Sequence, residues 1–247
     1  MAKARRFRVE SLDGVHPGDA LILPPDEIRH VRVLRLHPGD DIELFDAVGR
    51  TACAVLANPS GELAARIVSK SDESPAAPRL LVASAWPKGK RAAMLVEKCA
   101  ELGLDRLIPV RYARSVVTKD DETEGVARLR RIAIEAGKQC GRNSPLEIDA
   151  EVTFEAVLER EAASAIMLLA HPGSERDLLT VLRDRAANNA AHPVLIFIGP
   201  EGGFTEAELA TAQRAQVQQI KLASNVLRIE TAVMAACAIT RAFLEVG

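Results

Sequence analysis

The chain has 247 residues, 48% apolar and 27% charged, with a net charge of −2; this is an ordinary globular composition, long enough for a sizeable core and two domains. Its longest apolar runs, such as Val194–Ile198, are far too short to span a bilayer, and no apolar stretch follows the basic start at Lys3, Arg5, Arg6 and Arg8, so neither a membrane span nor a signal peptide is expected. Cys53, Cys99, Cys140 and Cys237 are widely spaced with no CxxC pair, so the spacing suggests neither a zinc site nor a disulfide framework, and the expectation is a cytoplasmic protein with no metal and with cysteines that are small buried hydrophobes.

In chain order, short β-type runs cover Phe7–Val9, Ala20–Leu23, Asp41–Phe45, Thr51–Ala57 and Glu62–Val68. Turn signals separate them: HPGD at His16–Asp19, HPGD again at His37–Asp40, and NPSG at Asn58–Gly61. The doubled HPGD is too short to be a structural repeat. One short helix fits Asp26–Leu34. The pattern predicts a small β-barrel-like domain. Residues 71–78, SDESPAAP, are polar and proline-bearing and read as a linker between domains at 1–73 and 79–247.

After the linker, strands and helices alternate. Strands fit Leu80–Ala85, Arg106–Val110, Ala165–Ala170, Val194–Ile198 and Gln219–Ala223. Helices fit Gly89–Leu102, Gly125–Gln139, Phe154–Glu161, Asp177–Ala187, Glu206–Ala215 and Glu230–Leu244. Such alternation predicts a mostly parallel sheet with helices on both faces. Ligands of these sheets bind in the loops at the carboxyl ends of the strands, so the loops after the last three strands are the place to look.

Charge is unevenly spread. Residues 86–142 carry a balance of +5 and residues 143–247 one of −6. A polyanion is drawn to the middle of the chain, although solvated helix faces give the same pattern. Aromatics are 3% of the chain, which argues against a module that stacks bases on rows of rings. In the helix from Gly89, Met94, Leu95, Val96, Cys99 and Leu102 read as inward-facing.

The loop after VLIFI is GPEGGF, Gly199 to Phe204. Thr205 and Glu208 form a capping box for the next helix, with Phe204 and Leu209 as its hydrophobic staple. The glycines let backbone approach a ligand closely. A phosphate is not the expected ligand, because the spacing is neither GxGxxG nor that of a P-loop. Glu201, Glu206 and Glu208 also surround the helix start and repel an anion. A neutral, zwitterionic or cationic ligand fits, and S-adenosylmethionine, with its positive sulfonium, is one; a tight turn without ligand fits equally well. The loop before the last helix runs from Leu222 to Thr231 and carries Ser224, Asn225, Arg228 and Glu230. Arg228 at a helix start is unfavourable against the dipole, so a salt bridge to Glu230 or a reacting base must hold it. His171 in the third loop, HPGS, reads as a turn residue.

Taken together, these loops resemble the 16S ribosomal RNA (uracil-N3)-methyltransferases of the SPOUT superfamily. The resemblance spans essentially the whole chain. It rests on HVRVLRLHPGD (His30–Asp40), KGKR with EKCAELG (Lys88–Gly103), IAIEAGKQCGRN (Ile132–Asn143), LLAHP (Leu168–Pro172), IGPEGGFTEAEL (Ile198–Leu209) and LRIETA (Leu227–Ala232). It implies a PUA-like N-terminal domain that helps to hold RNA, then a trefoil-knotted α/β domain with its last helix threaded through a loop. It implies a homodimer with the active site near the dimer interface. S-adenosylmethionine would lie against Leu169, His171 and Pro172; Gly199, Pro200, Glu201, Gly202 and Gly203; Leu222, Ala223, Ser224 and Leu227; and Thr231 and Ala232. RNA would meet His30, Arg32, Arg35, Lys88, Lys90, Arg91, Arg142 and Asn143. Similar sequences often carry Arg where this one has Asn225, which places more of any base contact on Arg228.

For methyl transfer to uracil N3, Arg228 is the expected electrostatic catalyst, and Glu230 its orienter or the base. Two other readings remain. One is methylation at another RNA position, ribose 2′-O or guanine N1. The other is a non-catalytic RNA-binding assembly factor on the same fold.

Overall fold

The computed structural model describes residues 5–46, 49–58, 62–71, 79–87, 90–115, 122–142, 144–162, 164–189 and 192–246. The chain divides into two compact units, Met1–Ala76 with Gly137–Pro145, and Ala77–Ala136 with Leu146–Gly247. The linker expected at 71–78 lies, from residue 72 on, outside the described residues.

In the first unit, β1 (Arg6–Arg8), β2 (Ala20–Ile22), β3 (Asp41–Phe45), β4 (Thr51–Ala57) and β5 (Ala64–Ser71) form one sheet in the order β1-β3-β4-β5-β2. β1 is parallel to β3 and the remaining pairs are antiparallel. β1 and β2 stand at opposite ends of the order, and the sheet curls into a half-barrel. Period-2 alternation sets its inner face: Ala52, Ala54 and Leu56 of β4 are buried while Cys53 is exposed. Phe7, Leu12, Leu44 and Ile67 make the core together with Val31 of α1 (Pro25–Val33).

The two HPGD segments fold into the same turn. The amides of His16 and His37 each donate to the aspartate three residues on, at 2.8 Å. Gly18 and Gly39 have φ of 99° and 101°. Proline followed by a left-handed glycine is what a type II turn requires. One turn leads into β2 and the other into β3. α1 ends in a Schellman motif, with Leu36 N donating to Val31 O and Arg35 N to Arg32 O, both at 3.1 Å. The motif holds Arg35 at a φ of 53° and leaves the side chains of Arg32 and Arg35 exposed. Residues 137–145 belong to this unit because Lys138 pairs with buried Glu27 of α1, and the carbonyl of Arg142 accepts from Arg6 Nη1 at 2.7 Å. Removing Lys138 would strand a buried carboxylate, which makes the pairing costly to break.

The second unit runs β6 (Leu80–Ser84), α2 (Lys90–Glu101), β7 (Arg106–Arg111), α3 (Glu122–Cys140, whose last turn joins the first unit), β8 (Glu147–Ile148), β9 (Val152–Thr153), α4 (Phe154–Glu161), β10 (Ile166–Ala170), α5 (Leu178–Asn189), β11 (Val194–Ile198), α6 (Glu206–Arg214), β12 (Gln218–Ile220) and α7 (Ile229–Val246). Its sheet is ordered β12-β10-β11-β6-β7-β8, with β9 pairing further along β7. Every pair is parallel. Every residue of β6 and β11 is buried, as central strands covered on both faces demand. From β12 at one edge the chain returns to the middle of the sheet, where α7 lies against β6 and β11 and packs on α2 and α5.

Several sequence expectations need adjusting. β8 and β9 have two residues each, too short to carry a readable period. Met94 was expected to face inward but is 39% exposed. Cys99 and Cys237 are buried, whereas Cys53 and Cys140 are exposed. Among the described residues, no helix is long and apolar enough to cross a membrane, and no group of three or more metal-ligating side chains occurs.

Candidate active site

The site is built by strand register. Ala170, the last residue of β10, pairs with Ile198 of β11 on one side and Ile220 of β12 on the other. All three strands therefore end at one level, and the segments that follow them start side by side. His171 N donates to Ile220 O at 2.8 Å and ties two of the segments together. On the far side of β11, Ser84 pairs with Ile198, and Ala85 N donates to Ile198 O at 2.9 Å, so the segment that leads into α2 leaves from the same edge.

The loop after β11 is held from several directions. A Cβ on Gly199 would stand 2.9 Å from Phe204 Cε2, so the ring of Phe204 occupies the space that only glycine leaves. Phe204 in turn packs edge-on against Tyr112, at 5.3 Å between centroids, and lies beside Phe154. The expected capping box is present: Glu208 N donates to Thr205 Oγ1, and Thr205 N donates to Glu208 Oε2 at 2.7 Å. Ala113 N donates to the other oxygen of Glu208 at 2.8 Å, and Arg114 Nη1 donates to Gly202 O at 2.8 Å. Tyr112 is wholly buried and its hydroxyl donates to Ala83 O; burial pushes its phenol well above the usual range.

This geometry corrects the charge argument made from the sequence. Glu208 is buried and spends both oxygens on the helix start and on Ala113, so it does not face a ligand. Glu201 and Glu206 are exposed. The loop is suited to a ligand by its glycine backbone, not by three converging carboxylates.

The loop after β12 is different. Lys221 N donates to Arg176 O, and Lys221 O accepts from Leu178 N. Beyond that, residues 222–227 make no hydrogen bond among the described residues, and Ser224, Asn225 and Val226 are exposed. Arg228 is exposed and has no ion pair among the described residues. Glu230, on the first turn of α7, is buried and pairs with Arg91 of α2, from Nη1 to Oε1 at 3.5 Å, and not with Arg228. Its Oε2 is buried and has no partner.

Comparison with known families decides the class. Residues 73–241 match the model of an RNA methyltransferase domain, and residues 23–67 match that of an RNA methyltransferase PUA domain. The chain belongs to the RNA methyltransferase family. It is 29% identical over 237 residues to the ribosomal RNA small subunit methyltransferase E of Mycobacterium bovis, covering 93% of this chain and 88% of that one. It is 29% identical over 214 residues to the protein of the same name from Bacillus subtilis, covering 84% of each. The crystal structure of ribosomal RNA small subunit methyltransferase E from Neisseria gonorrhoeae, bound to S-adenosyl methionine, superposes with a TM-score of 0.84 at 26% identity, covering 97% of this chain and 98% of that one. A putative methyltransferase from Legionella pneumophila with the same bound cofactor gives 0.80 at 28% identity, covering 97% and 98%. The mostly parallel α/β unit preceded by a PUA-like unit, expected from the resemblance, is the fold of this methyltransferase.

The residues expected to hold the cofactor all lie in the second unit of the methyltransferase, in or beside the three loops. Leu169 is buried in β10. His171 and Pro172 form a turn in which His171 Nδ1 accepts from Gly173 N at 3.1 Å. Pro200 is buried beside exposed Gly202 and half-buried Gly203. Leu222, Ala223 and Leu227 are half-buried. On α7, Thr231 is exposed and Ala232 is buried. The expected RNA contacts are more dispersed. His30, Arg32, Arg35 and Arg142 belong to the first unit, where the ring of His30 packs on Phe7 at 5.4 Å. Arg91 is engaged with Glu230. Lys88, Asn143 and the side chain of Lys90 lie outside the described residues. Arg114 and Ala113 are the supports that sequence reading missed. They reach Gly202 and Glu208 across 88 and 95 residues, a span over which no local spacing carries a signal.

Proposed function

We propose that this methyltransferase transfers a methyl group from S-adenosylmethionine to N3 of a specific uridine in 16S ribosomal RNA of the small ribosomal subunit. The observation that carries this reading is the alignment of three loops at one sheet edge, with a glycine-lined backbone on β11 and an unspent buried carboxylate oxygen on α7. The names of the similar enzymes and the cofactor bound in two similar structures support it.

The residues fit such a cofactor. Gly199 and Gly203 keep side chains away from the backbone of the loop, and the loop has no phosphate-binding spacing. When bound, S-adenosylmethionine supplies a methyl group activated by the positive sulfur. The chain's own residues then align the acceptor and exclude water. N3 of uracil carries a proton, which must leave before the nitrogen can act as nucleophile. Glu230 Oε2 takes that proton, directly or through one water. Negative charge then spreads to the flanking carbonyl oxygens of the base, and the Arg228 guanidinium stabilises it. Arg32 and Arg35 hold RNA phosphates, and the enzyme works as a homodimer.

Nucleoside mass spectrometry of 16S RNA from cells with and without the protein tests this. The expected result is loss of 3-methyluridine alone. Loss of a 2′-O-methyl nucleoside or 1-methylguanosine instead would move the chemistry elsewhere on the RNA. No change, together with no heat of S-adenosylmethionine binding in calorimetry, would leave an assembly factor.

A further inference from the structure

We infer that Arg91 is a positioning residue for Glu230 and not a direct RNA contact, an inference that rests on the methyl-transfer reading above. The two residues are 139 positions apart and are brought together because α2 and α7 pack on each other at the sheet edge that carries the site. The Glu230 side chain is 7% exposed. One oxygen receives Arg91 Nη1, and the other is buried without a partner. An unpartnered buried carboxylate oxygen is costly unless a ligand donor meets it. Arg91, with 42% of its side chain exposed, sets a positive charge against one oxygen of the buried carboxylate. It also fixes which oxygen stays free to receive the N3 proton. In this step the N3–H bond breaks, an O–H bond forms on Glu230, and the electron pair stays on N3 for the methyl carbon.

The family resemblance pointed the other way, to Arg91 as an RNA contact beside Lys88 and Lys90. The two roles give opposite results in a double-mutant cycle. Single-turnover methylation of small ribosomal subunits from cells lacking the protein is measured for Arg91→Ala, Arg91→Lys, Glu230→Gln and Arg91→Ala with Glu230→Gln. The expected outcome is a rate about tenfold lower for Arg91→Ala with subunit affinity within about twofold of wild type, and recovery to within about threefold in Arg91→Lys. Adding Arg91→Ala to Glu230→Gln should then cost less than about twofold more. Cofactor affinity by calorimetry within about twofold of wild type in each variant shows the fold intact. Losses that multiply in the double variant would overturn the inference. So would an Arg91→Ala enzyme with normal rate, weaker subunit binding and a salt dependence shallower by about one phosphate contact. If the wild-type protein itself makes no 3-methyluridine, the functional reading fails and this inference falls with it.

Discussion

Two loops that leave the sheet at one level, on either side of β10, solve opposite problems. The loop after β11 is complete without any ligand: Phe204 fills the space over Gly199, Arg114 holds Gly202 O, and Glu208 closes both the helix cap and the turn at Ala113. The loop after β12 has no such internal support, since residues 222–227 form no hydrogen bonds among the described residues and expose Ser224, Asn225 and Val226. A preformed cradle lowers the ordering cost of binding. A loop with few contacts is drawn from the low-stability end of the structure, where a ligand supplies the missing order. The first loop is therefore held by the fold, whereas the second has few contacts of its own.

Four substitutions sharpen or break that contrast. The largest effect is expected in the second loop's own machinery. Arg228→Ala should slow single-turnover methylation about 100-fold, ~2.7 kcal/mol of barrier, while the thermal midpoint stays put. A rate within about threefold of wild type would remove Arg228 from catalysis. Next, Glu208→Ala should act on stability. It leaves the Thr205 and Ala113 amides without their acceptor, which costs about 2 kcal/mol and lowers the midpoint of a calorimetric melt by several degrees. An unchanged melt would mean that the cap is dispensable. A smaller effect is expected for Gly199→Ala, where the new Cβ forces Phe204 aside. Cofactor affinity in titration calorimetry should fall about tenfold, ~1.4 kcal/mol. Asn225→Ala in the second loop should change it by less than about twofold, and equal losses at the two positions would erase the distinction.

Much of the fold was legible because it rests on local rules. Asp41–Phe45, Thr51–Ala57, Phe154–Glu161 and Val194–Ile198 have the ends that periodicity and turn residues predict. The Thr205 capping box follows from four adjacent residues. The loops of the site were legible for the same reason, since a parallel sheet sends its ligands to the ends of its strands. The charges were misread. Three glutamates near one helix start looked like a shared electrostatic feature, yet Glu208 turned out to be a structural acceptor for a residue 95 positions away.

By itself, then, the sequence determined the order of elements, the sheet edge that carries the candidate site, and the residue types available there, because each depends on neighbours within a few positions. Only the tertiary structure decided who partners whom: Arg91 with Glu230, Arg114 with Gly202, and Lys138 with Glu27. Charge pairing is fixed by helix packing and strand order, and these join residues that linear spacing keeps far apart.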